Sequence, residues 1–423
     1  LKTAEPMNVL LLTVGSHGDV HPFMDIAAAL QRAGHTATLA TNPHYQPQIL
    51  GSGLSFAALG APMDIRDVIR EQPVMDSVRG PLTVMRTLLL PEVPALVQRM
   101  RELIRELKPD VVVHHPILFG APWACELEGG VRTVSVSPSP LLWGNPNDAL
   151  VMQPLRSPNP SRLGVRVDLA VGGFVLRWAL DPALNRMRRE LGLPPLRGNL
   201  SRGATQADLN LGIWSPLLRG PLEGDPNNAC ITGFTWHDRD HTQETPDAEL
   251  QAFLNAGEPP IVFALGSTGV HAPGAFFEHA VEASQRLGAR ALLVVGRQQP
   301  APRNMPADAR FKAVAYAPFS TVFPRASVVV HHGGAGTTAQ ALRSGRPALV
   351  TPMAHDQFDN AARVQRLQAG HMLRFKQVTT PRMTDALQRL LTEAAYQRGA
   401  ARMAAGLANE DGARVAASRI VSG

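Results

Sequence analysis

Val328-Val329-Val330-His331-His332-Gly333-Gly334-Ala335-Gly336-Thr337-Thr338 passes without a break from a β-branched apolar triplet into a glycine-rich turn and a helix start. A second apolar run at residues 347–351 and the polar loop His355-Asp356-Gln357-Phe358-Asp359-Asn360 follow, so residues 328–360 read as one βαβ unit. Glycines at 333, 334 and 336 let the backbone turn sharply and approach a ligand closely. The helix, expected to start near Thr337, turns its unpaired N–H groups and positive dipole end on the same point. A phosphate or diphosphate is the natural occupant of such a turn.

The same alternation extends outward in both directions. Residues 8–14 form an apolar run ending at Gly15, and residues 23–32 carry apolar positions at helical spacing up to Gly34. Residues 35–41 and 54–59 read as strands, residues 93–107 as an amphipathic helix stopped by Lys108-Pro109-Asp110, and residues 111–113 and 131–136 as further strands. Residues 207–214 are expected to close a first sheet, and the alternation restarts at residues 261–265, 275–287, 290–295 and 311–315. The fold class is α/β: two doubly wound, parallel-sheet, Rossmann-like domains facing a cleft. The expected division is a first domain over 1–220, a linker over 221–259, a second domain over 260–398, and a final helix over 399–423 that crosses back to the first domain.

Composition narrows the class. Hydrophobic residues make up 44% and charged residues 18%, as in an ordinary globular chain. Cys125 and Cys230 supply neither a disulfide framework nor a zinc site, which fits a reducing cytoplasm. No apolar run reaches the roughly 18 residues of a membrane span. Residues 156–202 hold nine arginines against three acids, an excess equal to the net charge of +6 on the whole chain. Aromatic residues are not interleaved with them, which argues against nucleic acid. Two readings stand for this stretch: a solvated helical face, or a surface that meets an anionic membrane or an acidic acceptor.

In a doubly wound sheet the ligands lie beyond the carboxyl ends of the strands, so the loops there hold the candidate residues. Gly15-Ser16-His17-Gly18-Asp19-Val20-His21-Pro22 follows the first strand, with Asp19 the candidate general base, His17 and His21 its competitors, and a helix cap the plainer use of Asp19. His114 and His115 end the run at 111–113, and either is placed to partner Asp19. Ser267 and Thr268 follow Gly266, His332 adjoins the glycine turn, and Asp356 with Gln357 suits sugar hydroxyls or the cap of a helix starting near Asn360. Gly334 to Ala339 also fits GxGxxA with Asp356 about twenty residues on, which keeps an NAD-dependent oxidoreductase as a rival. Asp238-Arg239-Asp240 has the form of a metal-binding DxD, yet no strand precedes it.

Assembled in this order, the segments Tyr316-Ala317-Pro318, His332 to Thr337 and Asp356 to Asn360 resemble the donor signature of the GT-B nucleotide-sugar glycosyltransferases, the family of plant, antibiotic and sterol glucosyltransferases. The resemblance implies that Tyr316 and Ala317 flank the base, that Ser267, Thr268, His332, Gly334, Gly336 and Thr337 hold the diphosphate, and that Asp356 and Gln357 hold the sugar. It further implies Asp19 as catalytic base with His114 as partner; His17, His21 and Leu89 are the residues expected on the acceptor side. Gln340 stands where plant members carry a ribose-binding Glu, which separates this chain from the UDP-glucose pattern.

Ile231-Thr232-Gly233-Phe234, residues 247–254, Leu265-Gly266-Ser267-Thr268, Leu287-Gly288-Ala289-Arg290 and Ala354 to Asn360 are similar to the rhamnosyltransferases of bacterial rhamnolipid synthesis. That implies an inverting transfer of L-rhamnose from dTDP-L-rhamnose to a hydroxy-fatty-acid acceptor, with no metal or other cofactor and with the nucleotide sugar as co-substrate. The apolar residues 82–90 suit an acyl tail. A UDP-glucose-dependent transferase and an epimerase of the same fold are the alternatives. The expected location is cytoplasmic, with peripheral contact at the inner face of the membrane.

Overall fold

The computed structural model describes residues 5–64, 67, 68, 74–153, 156–237, 247–297 and 299–422; the Asp238-Arg239-Asp240 triplet and residues 1–4 lie outside them. The first sheet is built from β1 (Asn8–Leu12), β2 (Thr36–Thr41), β3 (Ser55–Ala58), β4 (Val111–His114), β5 (Arg132–Ser137), β6 (Leu209–Gly212) and β7 (Ala229–Ile231). Its order is β3-β2-β1-β4-β5-β6-β7, and neighbouring strands are parallel throughout. The second holds β8 (Ile261–Ala264), β9 (Ala291–Val294), β10 (Phe311–Val314), β11 (Val328–His331), β12 (Ala348–Val350) and β13 (Gly370–Met372), in the order β10-β9-β8-β11-β12-β13. The valine triplets of β4 and β11 are completely buried, as strands covered by helices on both faces require.

Each sheet reverses its winding at one place, between β1 and β4 in the first and between β8 and β11 in the second. The connections leaving two adjacent strands there diverge to opposite faces and open a crevice at the strand ends. The connections leaving β1 and β4, with the helix starts they lead into, carry residues 15–19 and 115; those leaving β8 and β11 carry residues 266–268 and 332–334. Topology alone therefore gathers four of the candidate segments into two crevices.

Several boundaries differ from the sequence-based expectation. The segment 221–259, read as linker, contributes β7 and the helix Ala248–Asn255, so residues 207–214 do not close the first sheet. With three residues and a partly exposed backbone, β7 is too short to show alternation. The final helix is two, Ala394–Leu407 and Gly412–Val421. The second packs on the helix His17–Arg32, burying Ala413, Ala416, Ala417 and Ile420 in one cluster with Val20, Phe23 and Met24. Gly412 lets the start of this second helix lie against the chain leaving β7, because a Cβ there would meet the carbonyl oxygen of Gly233 at 2.1 Å.

The two domains are joined by more than chain. Arg363, on the helix Gln357–Arg366, bonds Asp359 of its own helix at 2.8 Å and Asp148 of the first domain at 2.8 Å, while Arg219 reaches Asp148 at 3.1 Å. Asp359 also accepts from the Val151 backbone N–H at 2.9 Å, and Arg366 donates to the carbonyls of Ala149 and Pro158. All four charged side chains of this network are at most 5% exposed. Among the described residues no helix is long and apolar enough to cross a membrane.

Candidate active site

Ser16, not Asp19, caps the helix His17–Arg32, which starts six residues before the expected 23. Asp19 occupies the third helical position and closes a capping box: its Oδ2 accepts from the Ser16 N–H at 2.8 Å and from the Ser16 hydroxyl at 3.0 Å. The remaining oxygen, Oδ1, lies 3.4 Å from His115 Nε2. The Ile117 N–H donates to His115 Nδ1 at 3.2 Å, which leaves the proton of a neutral ring on Nε2, within ion-pair distance of Asp19 but outside hydrogen-bond geometry. Burial pushes the Asp19 carboxyl up, but the His115 ring and the two Ser16 donors outweigh it and hold the group below the usual carboxylate range. The side chain is 28% exposed, so an ionised carboxylate faces the crevice.

This corrects the partner assignment. His114 is completely buried in β4, paired in register with Leu12, and burial lowers its ring to about 4. His115, one residue on, leaves the strand through its N–H bond to the Leu12 carbonyl and reaches Asp19. His21, expected on the acceptor side, stacks its ring on His237 at 4.0 Å and bonds Gln48 at 3.0 Å, contacts that brace the helix against the chain leaving β7. His17 packs edge-on to His21 and Tyr45 and is half-buried; burial, then the charges of His44, His237 and Arg297, lower its proton affinity.

In the second domain the helix Ala335–Arg343 begins two residues before Thr337, with Gly334 as its extended N-cap. Its first helical bond runs from the Thr338 N–H to the Gly334 carbonyl, so the N–H groups of Ala335, Gly336 and Thr337 have no partner within the helix. His332 is wedged between the two glycine loops: a Cβ on Gly266 would lie 2.2 Å from its ring and one on Gly334 2.6 Å. The ring is 5% exposed, its Nδ1 is buried without a bond, and burial lowers its proton affinity to about 4, so it is a neutral donor or acceptor. Ser267 and Thr268 lie in the one-turn helix Gly266–Gly269 beside it.

Asn360 ties the turn to the next loop by donating to the Gly333 carbonyl and to Asp356 Oδ2, both at 2.9 Å. Burial raises the Asp356 carboxyl to about 7; the Asn360 bond opposes this and the charge of Asp19, felt across the cleft, adds to it. Gln357 opens the helix Gln357–Arg366, three residues before the expected 360, and its Oε1 accepts from the N–H groups of Met353 and Ala354. Only its NH₂ is left for a sugar. Tyr316 is half exposed with the Arg297 guanidinium 5.8 Å over its ring, while the Ala317 side chain is buried in the core and offers a ligand only its backbone.

Leu89 ends a short π-helical stretch, Val84–Leu89, a local widening often found where a helix meets a ligand. With Val93, Leu96, Met100, Ile117, Leu118, Phe119 and Gly120 it lines an apolar pocket. Ile117, whose N–H fixes the His115 ring, is therefore also part of the pocket wall.

Comparison with known proteins gives the family. Residues 9–125 match the glycosyltransferase family 28 N-terminal domain, and residues 284–421 match the erythromycin biosynthesis protein CIII-like C-terminal domain. The chain is 31% identical over 380 residues to an O-mycaminosyltylonolide 6-deoxyallosyltransferase of Streptomyces fradiae, covering 85% of this chain and 84% of that protein. The chain belongs to the GT-B glycosyltransferases.

A sterol 3-beta-glucosyltransferase of Arabidopsis thaliana is 28% identical over 84% of this glycosyltransferase and 56% of its own length. Among solved structures, the kitacinnamycin glycotransferase superposes with a TM-score of 0.76 at 21% identity, covering 99% of this chain and 98% of that one. The spinosyn rhamnosyltransferase SpnG, complexed with thymidine diphosphate, gives 0.68 at 19% identity over 99% and 100%. Sequence reasoning about this enzyme missed Arg297, Asn360 and the choice of His115. The Ser16-x-x-Asp19 spacing of a capping box was a visible sign that Asp19 is held by Ser16. Nothing comparable announces Arg297, which reaches Tyr316 only because β9 and β10 are neighbours.

Proposed function

We propose that this glycosyltransferase moves L-rhamnose from dTDP-L-rhamnose to a hydroxyl of a lipophilic, hydroxy-fatty-acid acceptor, with inversion and with no metal or cofactor beyond the nucleotide sugar. The observation that carries the reading is the pairing of an ionised carboxylate in the first domain, Asp19 bound by Ser16 and 3.4 Å from His115, with the open helix start at Gly334 and the His332 ring in the second. The lipophilic acceptor is supported by the apolar residues 82–90, of which Leu89 lines a small apolar cavity. The 6-deoxyhexose in the name of the Streptomyces relative and the Gln340 departure favour a dTDP-linked deoxysugar over UDP-glucose.

In the proposed reaction Asp19 Oδ1 takes the acceptor proton as the acceptor oxygen bonds to the anomeric carbon. The bond from that carbon to the diphosphate breaks with its electron pair, on the opposite face of the sugar. The departing charge meets the free N–H groups of Ala335, Gly336 and Thr337, the His332 ring, and the Ser267 and Thr268 donors. Asp356 accepts from sugar hydroxyls, the Gln357 NH₂ donates to one, and Tyr316 stacks on the base. Holding both substrates in one cleft contributes up to about 7–11 kcal/mol of barrier reduction.

Calorimetry of dTDP and UDP, followed by rhamnosyl transfer assays with acyl and short polar hydroxy acids, tests this reading. It requires tighter dTDP binding and a preference for the acyl acceptor. UDP preference with transfer from UDP-glucose would instead favour a glucosyltransferase of another lipophilic or polyphenolic acceptor, the reading to which the sterol glucosyltransferase relative points.

A further inference from the structure

The helix Arg162–Glu190 is the longest in the molecule's described part, 29 residues, and it is apolar on two faces. Its inner face buries Val165, Leu180 and Leu184, the last two in the core cluster that also holds Leu118 and Phe119. The outer face carries Leu163, Val167, Val171, Phe174, Val175 and Trp178, all exposed. Leu163, Phe174 and Trp178 are 72%, 63% and 73% exposed, more than any isolated surface apolar residue needs. At 100° per residue these six positions fall within an arc of about 120°, and the stripe runs for about 22 Å.

The charges around the stripe identify its partner. Arg162 and Arg166 border one edge, Arg186 the other, and Arg189 continues its line toward the C-terminal end; all four are exposed. Both acids of the helix before Glu190 are turned away: Asp168 is buried against Arg156, and Asp181 accepts from the N–H groups of Gly198 and Asn199. An apolar stripe with Trp and Phe, bordered by arginines and free of carboxylates, matches a helix lying in the headgroup plane of an anionic bilayer. A second copy is disfavoured, because a two-fold pairing of this face would set arginine against arginine with no acid between them. The helix is not apolar enough to span a bilayer, which leaves it at the surface.

We propose that the outer face of the Arg162–Glu190 helix docks on anionic lipid membrane. The proposal is independent of which sugar or acceptor the enzyme uses. Trp123, Trp143, Trp214 and Trp236 are at most 5% exposed, so Trp178 is the tryptophan whose emission lipid can change. Titrating the protein with phosphatidylcholine vesicles, with and without phosphatidylglycerol, should give a blue shift on the anionic vesicles alone, absent from Trp178→Phe. Sedimentation with the same vesicles should show binding weakened about 25-fold by Arg162→Gln with Arg166→Gln, at about fivefold per arginine, and weakened further by salt. Phe174→Glu should abolish it while leaving the thermal transition unchanged, since both residues are solvent-facing. No binding to anionic vesicles, or binding indifferent to Phe174→Glu, overturns the proposal. So does a concentration-dependent dimer in light scattering that Phe174→Glu dissolves, which would assign the face to a second copy.

Discussion

At the scale of single residues, two carboxylates of the site hold their protons over different pH ranges. Asp19 is ionised throughout the neutral range and makes a weak resting base, so its use lies late in the reaction, when the attacking oxygen has become acidic. Asp19→Asn keeps the shape and one acceptor for Ser16; we expect turnover to fall about 10²–10⁴-fold with dTDP affinity nearly unchanged by calorimetry. His115→Ala removes the strongest influence lowering Asp19 and leaves burial opposed only by the two Ser16 donors, so the acid limb of the pH–rate profile should move to higher pH. His114→Ala should cost stability without moving that limb. Asp356, at about 7, gives a separate signature. If its carboxylate accepts sugar hydroxyls, nucleotide-sugar affinity must rise as the group ionises, about tenfold between pH 6 and 8, and Asp356→Asn must flatten the curve. Of these residues Asp19 and Asp356 were legible, because a polar residue just after a strand of a doubly wound sheet has few structural reasons to be there. The choice between His114 and His115 was not, since adjacent residues at a strand end point to opposite faces and only the register of β4 on β1 decides which ring leaves the sheet.

Among the elements, the βα units built on uninterrupted valine and leucine runs were readable from sequence, and the short or polar ones were not. β7 hides among Pro, Asp and Asn residues because pairing with β6, not its own side chains, makes it a strand. The start of the Ala335–Arg343 helix was displaced because Gly334, with no side chain to cap, serves as N-cap by backbone conformation alone. The helix Gln357–Arg366 bears the donor-side residues at its start and the inter-domain charges along its length. Arg363→Ala would leave the buried Asp359 without a cation, holding only the Val151 N–H, and Asp148 with Arg219 alone; we expect a loss of about 3–5 kcal/mol in urea unfolding. Replacing Asp148, Asp359 and Arg363 together by apolar residues should cost much less, a contrast that separates the stranding of charge from the loss of contact.

For the whole molecule, the two-sheet architecture was legible from the restart of alternation at residue 261, while the traffic between the domains was not, since it depends on single side chains meeting across long stretches of sequence. The Gly412–Val421 helix belongs structurally to the first domain, although the entire second domain precedes it. Deleting residues 409–423 should therefore lower the melting temperature and produce soluble aggregates in size-exclusion chromatography, with the exposed face of the His17–Arg32 helix as the cause. The same arrangement sets a timetable for synthesis. The first domain's sheet is complete once β7 is made, yet the helix that covers its apolar groove leaves the ribosome about 180 residues later, about 9–36 s at ordinary elongation rates. For that interval a nearly finished domain carries a sticky, unfilled slot, so nascent-chain aggregation and chaperone demand should fall on the amino-terminal half of this protein while it waits for its last helix.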